Sequence, residues 1–238
     1  MEHDQRMRIA VAFAREAART PSARLCHACV EVLAVTGAGI TLMAGRSAGP
    51  MCVSSARIQL LEDTQFTTGA GPCQDAYRER RPVHAPRLDS DVSARWPAFV
   101  DAATATSIRS VHAYPLETAG VSVGTLTLYQ EGEGEFTAAQ HEDSLAVAEV
   151  LAETVLSLQA EAPAGQLAAG LEDAGAYRAE IYQASGMLAV QLQIPADDAM
   201  TRLRAHAFAR GLPLGHVAAE IVSRRLTLSD DRDDAGGD

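Results

Sequence analysis

The sequence has no lysine: all twenty of its basic residues are arginine. Such a bias fits a high-GC coding sequence and by itself points to no chemistry. Aromatic residues make up only 5% of the 238 positions, so Ala and Val must do much of the apolar packing. No apolar run approaches the ~20 residues of a membrane span. The opening Met1-Glu2-His3-Asp4 is acidic where a signal peptide needs positive charge, so the chain reads as cytoplasmic. In that compartment Cys26, Cys29, Cys52 and Cys73 are expected to be reduced. The motifs of common catalysts are missing too. Gly69-Ala70-Gly71 is too sparse for a dinucleotide loop, there is no GxxxxGK, and His141-Glu142 lacks the second His of a zincin. With no acid/base pair and no receiver-like Asp, the reading is of a protein that is not an enzyme and needs no cofactor or metal.

Cys26-His27-Ala28-Cys29 does have zinc or redox spacing, but no partner CxxC or HxxxH follows it. Its flanks, Leu25, Val30, Val32 and Leu33, favour an amphipathic helix in which Cys is a small buried hydrophobe. Charge is more informative by segment than in total. The whole chain is at −11, yet residues 175–228 hold six Arg against four acids. Residues 1–174 hold 13 Arg against 22 acids, and the last ten residues one Arg against five. A cationic stretch between two acidic ones is the asymmetry by which an acidic protein touches phosphate.

Hydrophobic periodicity predicts an α+β domain around one antiparallel sheet. Two helical patterns over 5–34 part at Thr20-Pro21-Ser22, with Ser22 able to cap the second. Strands are expected over Ile40–Met43, Met51–Ser54, Pro82–Pro86, Ser110–Glu117 and Val121–Tyr129, with helices over Ala56–Gln65, Cys73–Arg80 and Ala98–Ala105. In the last strand Val123, Thr125, Thr127 and Tyr129 should share one face. Asp89–Pro97 reads as a loop in which Trp96 packs, and Thr137 caps a long helix to about Ala160. After that only helices follow: Leu171–Gln193, a second ending at Gly211, and a third from Pro213 to about Arg225. The domain reading is 1–160, a linker over 161–170, a helical module over 171–228 and an acidic tail over 229–238. A module this small gains from packing on another domain or a second copy.

Two stretches carry a resemblance. Gly71-Pro72-Cys73-Gln74-Asp75-Ala76, then Arg81-Pro82-Val83, Arg95-Trp96-Pro97-Ala98-Phe99 and Ile108-Arg109-Ser110-Val111, resemble the GAF domains of high-GC bacterial regulators. Ile181-Tyr182-Gln183-Ala184-Ser185-Gly186-Met187-Leu188, with Asp198-Ala199, Leu203-Arg204-Ala205-His206-Ala207 and Val217-Ala218-Ala219-Glu220-Ile221, resembles an ANTAR domain. The resemblance implies a GAF-type α+β domain followed by an all-α three-helix ANTAR module. It further implies an RNA-binding regulator of transcription antitermination that grips stem-loops in nascent RNA, as a homodimer and in contact with RNA polymerase. A small-molecule effector would act at the GAF domain, although fold analogy alone cannot choose between ligand binding and a dimerisation platform.

On that reading Gln183 and Ser185 could read base edges, while Gly186 lets a loop approach the helix. Arg178, Arg202, Arg204 and Arg210 could meet phosphates. Ser185 departs from the family pattern, where Lys is common, which moves the phosphate contacts onto the arginines. Cys73 opens a short helix whose dipole would favour a thiolate, making it a candidate ligand-touching residue beside the simpler reading of a buried hydrophobe. Taken without the resemblance, the residues leave a second reading open, in which the three helices dock on a protein and the arginines are a solvated face.

Overall fold

The computed structural model describes residues 2–17, 24–43, 49–161 and 172–228; the side chains of 2–6, 16–17, 161 and 172–178 lie outside that description. The Ser22 cap, the expected linker over 161–170 apart from Glu161, which the structure places at the end of a helix, and the acidic tail therefore fall outside the described residues. Two compact units divide the chain, Met1–Gly175 and Ala176–Asp238.

The first unit is built on a sheet of β1 (Gly37–Leu42), β2 (Gly49–Val53), β3 (Val83–Ala85), β4 (Ser110–Thr118) and β5 (Val121–Gln130). Their order is β2-β1-β5-β4-β3, and each neighbouring pair is antiparallel. The strand bounded by Pro82 and Pro86 takes an edge, where a residue without an N–H costs no ladder bond. One face is covered by α1 (Glu2–Ala17), α2 (Leu25–Leu33) and α7 (Ala138–Glu161), which with Ile40, Tyr114, Leu126 and Leu128 form one core. Against the other face lie α3 (Ala56–Thr68), α4 (Pro72–Glu79), α5 (Ser90–Arg95) and α6 (Pro97–Ala105), with Ile58, Phe99, Val111 and Tyr129 in a second core.

The helix ends follow local chemistry. Thr137 Oγ1 accepts from Gln140 N–H while Gln140 Oε1 accepts from Thr137 N–H, a reciprocal capping box at the start of α7. Ala148, Leu151, Ala152 and Val155 then form its buried stripe.

Three expectations are corrected here. Asp89–Pro97 is not a continuous loop, because the Asp89 carboxylate accepts from Asp91 and Val92 N–H and nucleates α5. Val123 leaves the face of Thr125, Thr127 and Tyr129 and joins the opposite core. It is the extra residue where the register shifts, since Leu116 pairs with Gly124 and Glu117 with Ser122. The cysteines are not all free. A disulfide joins Cys26 to Cys52, because α2 packs beside β2 and brings their Cα atoms to 5.9 Å, while Cys29 and Cys73 stay as buried thiols.

The second unit carries the helical residues from Ala176 onward: the bulk of α8 (Glu172–Leu192), then α9 (Ala196–Arg210) and α10 (Leu214–Val222). Ile181, Ala184 and Leu188 from α8, Ala199, Leu203 and Ala207 from α9, and Leu214, Val217 and Ile221 from α10 are buried. Gly211 ends α9 at φ 60°, the left-handed position where glycine carries no Cβ penalty.

Candidate functional sites

In the first unit, a polar cluster lies buried between the sheet and α3/α4. Glu62 is 1% exposed. Its carboxylate accepts from Thr41 Oγ1 at 2.7 Å and from Tyr129 OH at 2.6 Å. Gln65 Nε2 donates to Tyr129 OH at 3.1 Å, and Gln65 Oε1 accepts from Cys73 N–H at 2.8 Å. Two glycines make room for it. A Cβ at Gly39 would collide with the Glu62 carboxylate, and one at Gly71 with the Gln65 side chain. Gly71 also sits at φ 146°, closed to other residues, so this corner of the fold is shaped around those two polar side chains.

Burial sets the protonation of the cluster. It pushes the Glu62 carboxyl up, opposed by the hydrogen bonds from Tyr129 and Thr41. It also pushes the Cys73 thiol well up, helped by the charges of Glu62 and Asp75. Cys73 is thus a protonated, buried thiol at this site, and the dipole of α4 does not make it a thiolate. Trp96 is held by its Nε1 donating to Asp75 Oδ2 at 2.9 Å, with the Arg95 guanidinium over its ring.

A second cluster lies at the β3/β4 edge on the α7 side. His84 Nδ1 and His112 Nδ1 are 3.1 Å apart, His112 stacks on Phe136 at 3.8 Å, and Tyr114 OH meets His141 Nδ1 at 3.2 Å. Burial first, and then the neighbouring His84, lower the His112 pKa to about 4. Among the described residues no group of three or more His, Cys, Asp or Glu is placed to hold a metal ion. Neither cluster is visible in the sequence. Glu62 is one acid in a polar helix, and the histidines are scattered over 57 residues; only strand alternation between Val111 and Ala113 hints that His112 points away from them.

The helical module sorts the expected RNA contacts by face. Gln183 and Gly186 are exposed on α8, three residues apart, and exposed Val190 continues their line. Ser185 is instead 3% exposed, and its hydroxyl donates to the Ala196 carbonyl at 3.1 Å, tying α8 to the start of α9. On α9, Arg210 is exposed and Arg202 partly so. Arg204 is half-buried, which lowers its pKa against the opposing influence of Tyr182. The Arg178 side chain lies outside the described residues. Sequence reading passed over Gln191 and Arg224, which border a groove beside α8.

None of the described helices is long and apolar enough to cross a membrane. The model of the GAF domain family matches residues 22–157, and that of the ANTAR domain matches residues 169–222. No curated protein sequence matches the chain significantly. Among solved structures, the GAF domain of an Acinetobacter phosphoenolpyruvate-protein phosphotransferase superposes with a TM-score of 0.52 at 10% identity, over 66% of this chain and 96% of that one. The corresponding GAF domain from Coxiella burnetii gives 0.50 at 15% identity, over the same shares of the two chains. At such identities the likeness speaks for the fold alone. The sequence match covers more than half of the chain and coincides with the five-stranded unit, so the chain belongs to the GAF domain family, its sensor domain being followed by an ANTAR domain, the RNA-binding type that acts in antitermination.

Proposed function

We propose that this protein is a non-catalytic regulator that binds stem-loops in nascent RNA through its ANTAR module and controls transcription antitermination under the direction of its GAF domain. The observation that carries this reading is the coincidence of the ANTAR match, residues 169–222, with the cationic stretch of an otherwise acidic chain. Gln183 and Gly186 on the open face of α8 would meet the loop, and Arg178, Arg202, Arg204 and Arg210 the phosphates. Ser185 acts from inside, by fixing the α8–α9 corner that presents them. RNA polymerase is the natural neighbour of a factor that binds nascent RNA.

The effector, a small molecule, would enter the GAF domain at the Glu62–Gln65–Tyr129 cluster beside Cys73. Its binding there would change the packing of α7 on the sheet and so the pairing of ANTAR modules in a homodimer. A ligand can drive this only by preferring one packing over the other.

Crosslinking in cells followed by sequencing of the bound RNA tests the central claim: paired stem-loops near transcription terminators are expected. Exposed Phe208 and Leu212 at the end of α9 favour a second reading, docking on a protein partner. Recovery of no stem-loops would select it.

A further inference from the structure

We infer that the groove between α8 and the end of α10 seats one unpaired RNA base, an inference that rests on the RNA-binding reading. The groove is open to solvent on one side and offers about 530 Å³. Its walls are apolar, formed by Met187 and Val190 of α8, by Ile221 of α10 and by Leu226 just beyond that helix. Its rim is polar, with Gln191, Arg224 and Thr227. That is the pattern a nucleobase requires: apolar faces to sandwich and a polar edge to satisfy, next to a phosphate to neutralise.

Two features point outward from the protein for their explanation. Gly186 lies mid-helix, where glycine costs about 1 kcal/mol relative to alanine. A Cβ there would meet nothing within 4 Å, so no atom of the module requires the glycine. An incoming ring that must approach the helix backbone would. Val190 is 81% exposed, an apolar side chain left in water at the mouth of the groove.

The polar rim is poised for a ligand. Gln191 Nε2 donates to the Leu228 carbonyl at 2.8 Å, which orients the amide while leaving Oε1 without a hydrogen bond among the described residues. That oxygen can accept from an exocyclic amine. The two successive arginines differ. Arg225 is clamped to Glu220, Nη2 to Oε1 at 2.7 Å, whereas Arg224 makes no ion pair among the described residues. Arg224 occupies the left-handed region at φ 59°, its N–H held by the Ile221 carbonyl at 2.9 Å, so the turn that places it is fixed. A second copy of the chain is a poorer occupant: it would bring a like-charged module against Arg224 and bury the free amide oxygen of Gln191.

The test uses the full chain. Hairpin RNAs are selected for binding from a pool with a randomised loop, and each loop position of the winner is then made abasic in turn. For the unaltered protein one loop position should weaken binding about tenfold when its base is removed, the scale of a base–side-chain stack. In Val190→Asp and Gln191→Ala that penalty should vanish, because binding has already fallen by the same factor. Arg224→Gln should weaken all hairpins alike and flatten the salt dependence. Far-UV circular dichroism checks that each variant folds, which exposed positions permit. If the variants fold and respond to the abasic series as the unaltered chain does, the base site is refuted. Dissociation of a dimer by Val190→Asp with RNA binding intact would also overturn it, giving the groove to a second copy. If no hairpin is selected at all, the RNA-binding reading itself falls first.

Discussion

His112 allows the electrostatics of the sensor domain to be tested directly. It is almost wholly buried, stacked on Phe136 and in contact with His84, and it stays neutral down to a pKa of about 4 instead of the ordinary 6.5. Once unfolded, the same imidazole takes a proton near 6.5. The unfolded state therefore binds the proton first, and stability that is complete above 6.5 drains away as the pH falls towards 4. At about 1.4 kcal/mol for each pH unit between those values, the full effect is about 3 kcal/mol. Water reaching the cluster through exposed His84 screens part of it, and we expect about 2 kcal/mol. His112→Phe keeps a flat ring against Phe136 and removes the titration. Urea unfolding at pH 7 and pH 4 should show the unaltered protein losing about 2 kcal/mol more than His112→Phe over that interval. His84, His141, Tyr114 and Glu135 are common to both proteins, so their contributions largely cancel in the difference. Equal losses would mean that His112 is either solvated or already charged in the fold, and the reasoning would fail.

Two further outcomes follow from the buried groups. Glu62→Gln should stabilise the sensor domain increasingly as the pH rises above the ordinary carboxylate range, by up to about 1.4 kcal/mol per pH unit until the raised folded pKa is passed. The amide can still accept from Tyr129 and can donate to Thr41; a pH-independent difference in denaturant midpoint between the two proteins would show that Glu62 is not held neutral. Opening the Cys26–Cys52 bridge, which closes a sequence separation of 26, should cost about 3 kcal/mol by the loop entropy restored to the unfolded chain. Thermal unfolding with and without reductant measures this, and a double Cys26→Ala/Cys52→Ala variant insensitive to reductant is the control; an unmoved midpoint in the unaltered protein would argue against a stabilising bridge.

What the sequence made legible was periodicity and punctuation. The strand pair at 110–130, the capped α7 and the three terminal helices all announce themselves through alternation, i, i+3, i+4 spacing and turn residues. Chemistry that depends on pairing across the sheet did not. Cys26 and Cys52 lie in different elements, and only the packing of α2 beside β2 shows that they meet. Glu62 looks like any solvated acid until Gly39 on a strand far away in sequence is seen to vacate the space it fills. Asp89–Pro97 escaped for a local reason: six residues are too few to display a helical period, and only the Asp89 cap betrays them.

The residues proposed to meet RNA illustrate why residue type alone is a weak guide to an interface. Ser185 and Gly186 are neighbours in sequence and both small, yet the 100° step of a helix puts one against Ala196 and leaves the other open to solvent. Arginines divide in the same way: Arg204 spends part of its charge on burial beside Tyr182, and Arg225 spends its own on Glu220. The net excess of +2 over residues 175–228 is thus not spread evenly over the module. It falls chiefly to groups such as Arg210 and Arg224 that remain in water, and a polyanion would feel those far more than the formal sum. On the RNA-binding reading proposed for this acidic protein, the decisive quantity is which arginines the fold leaves in water.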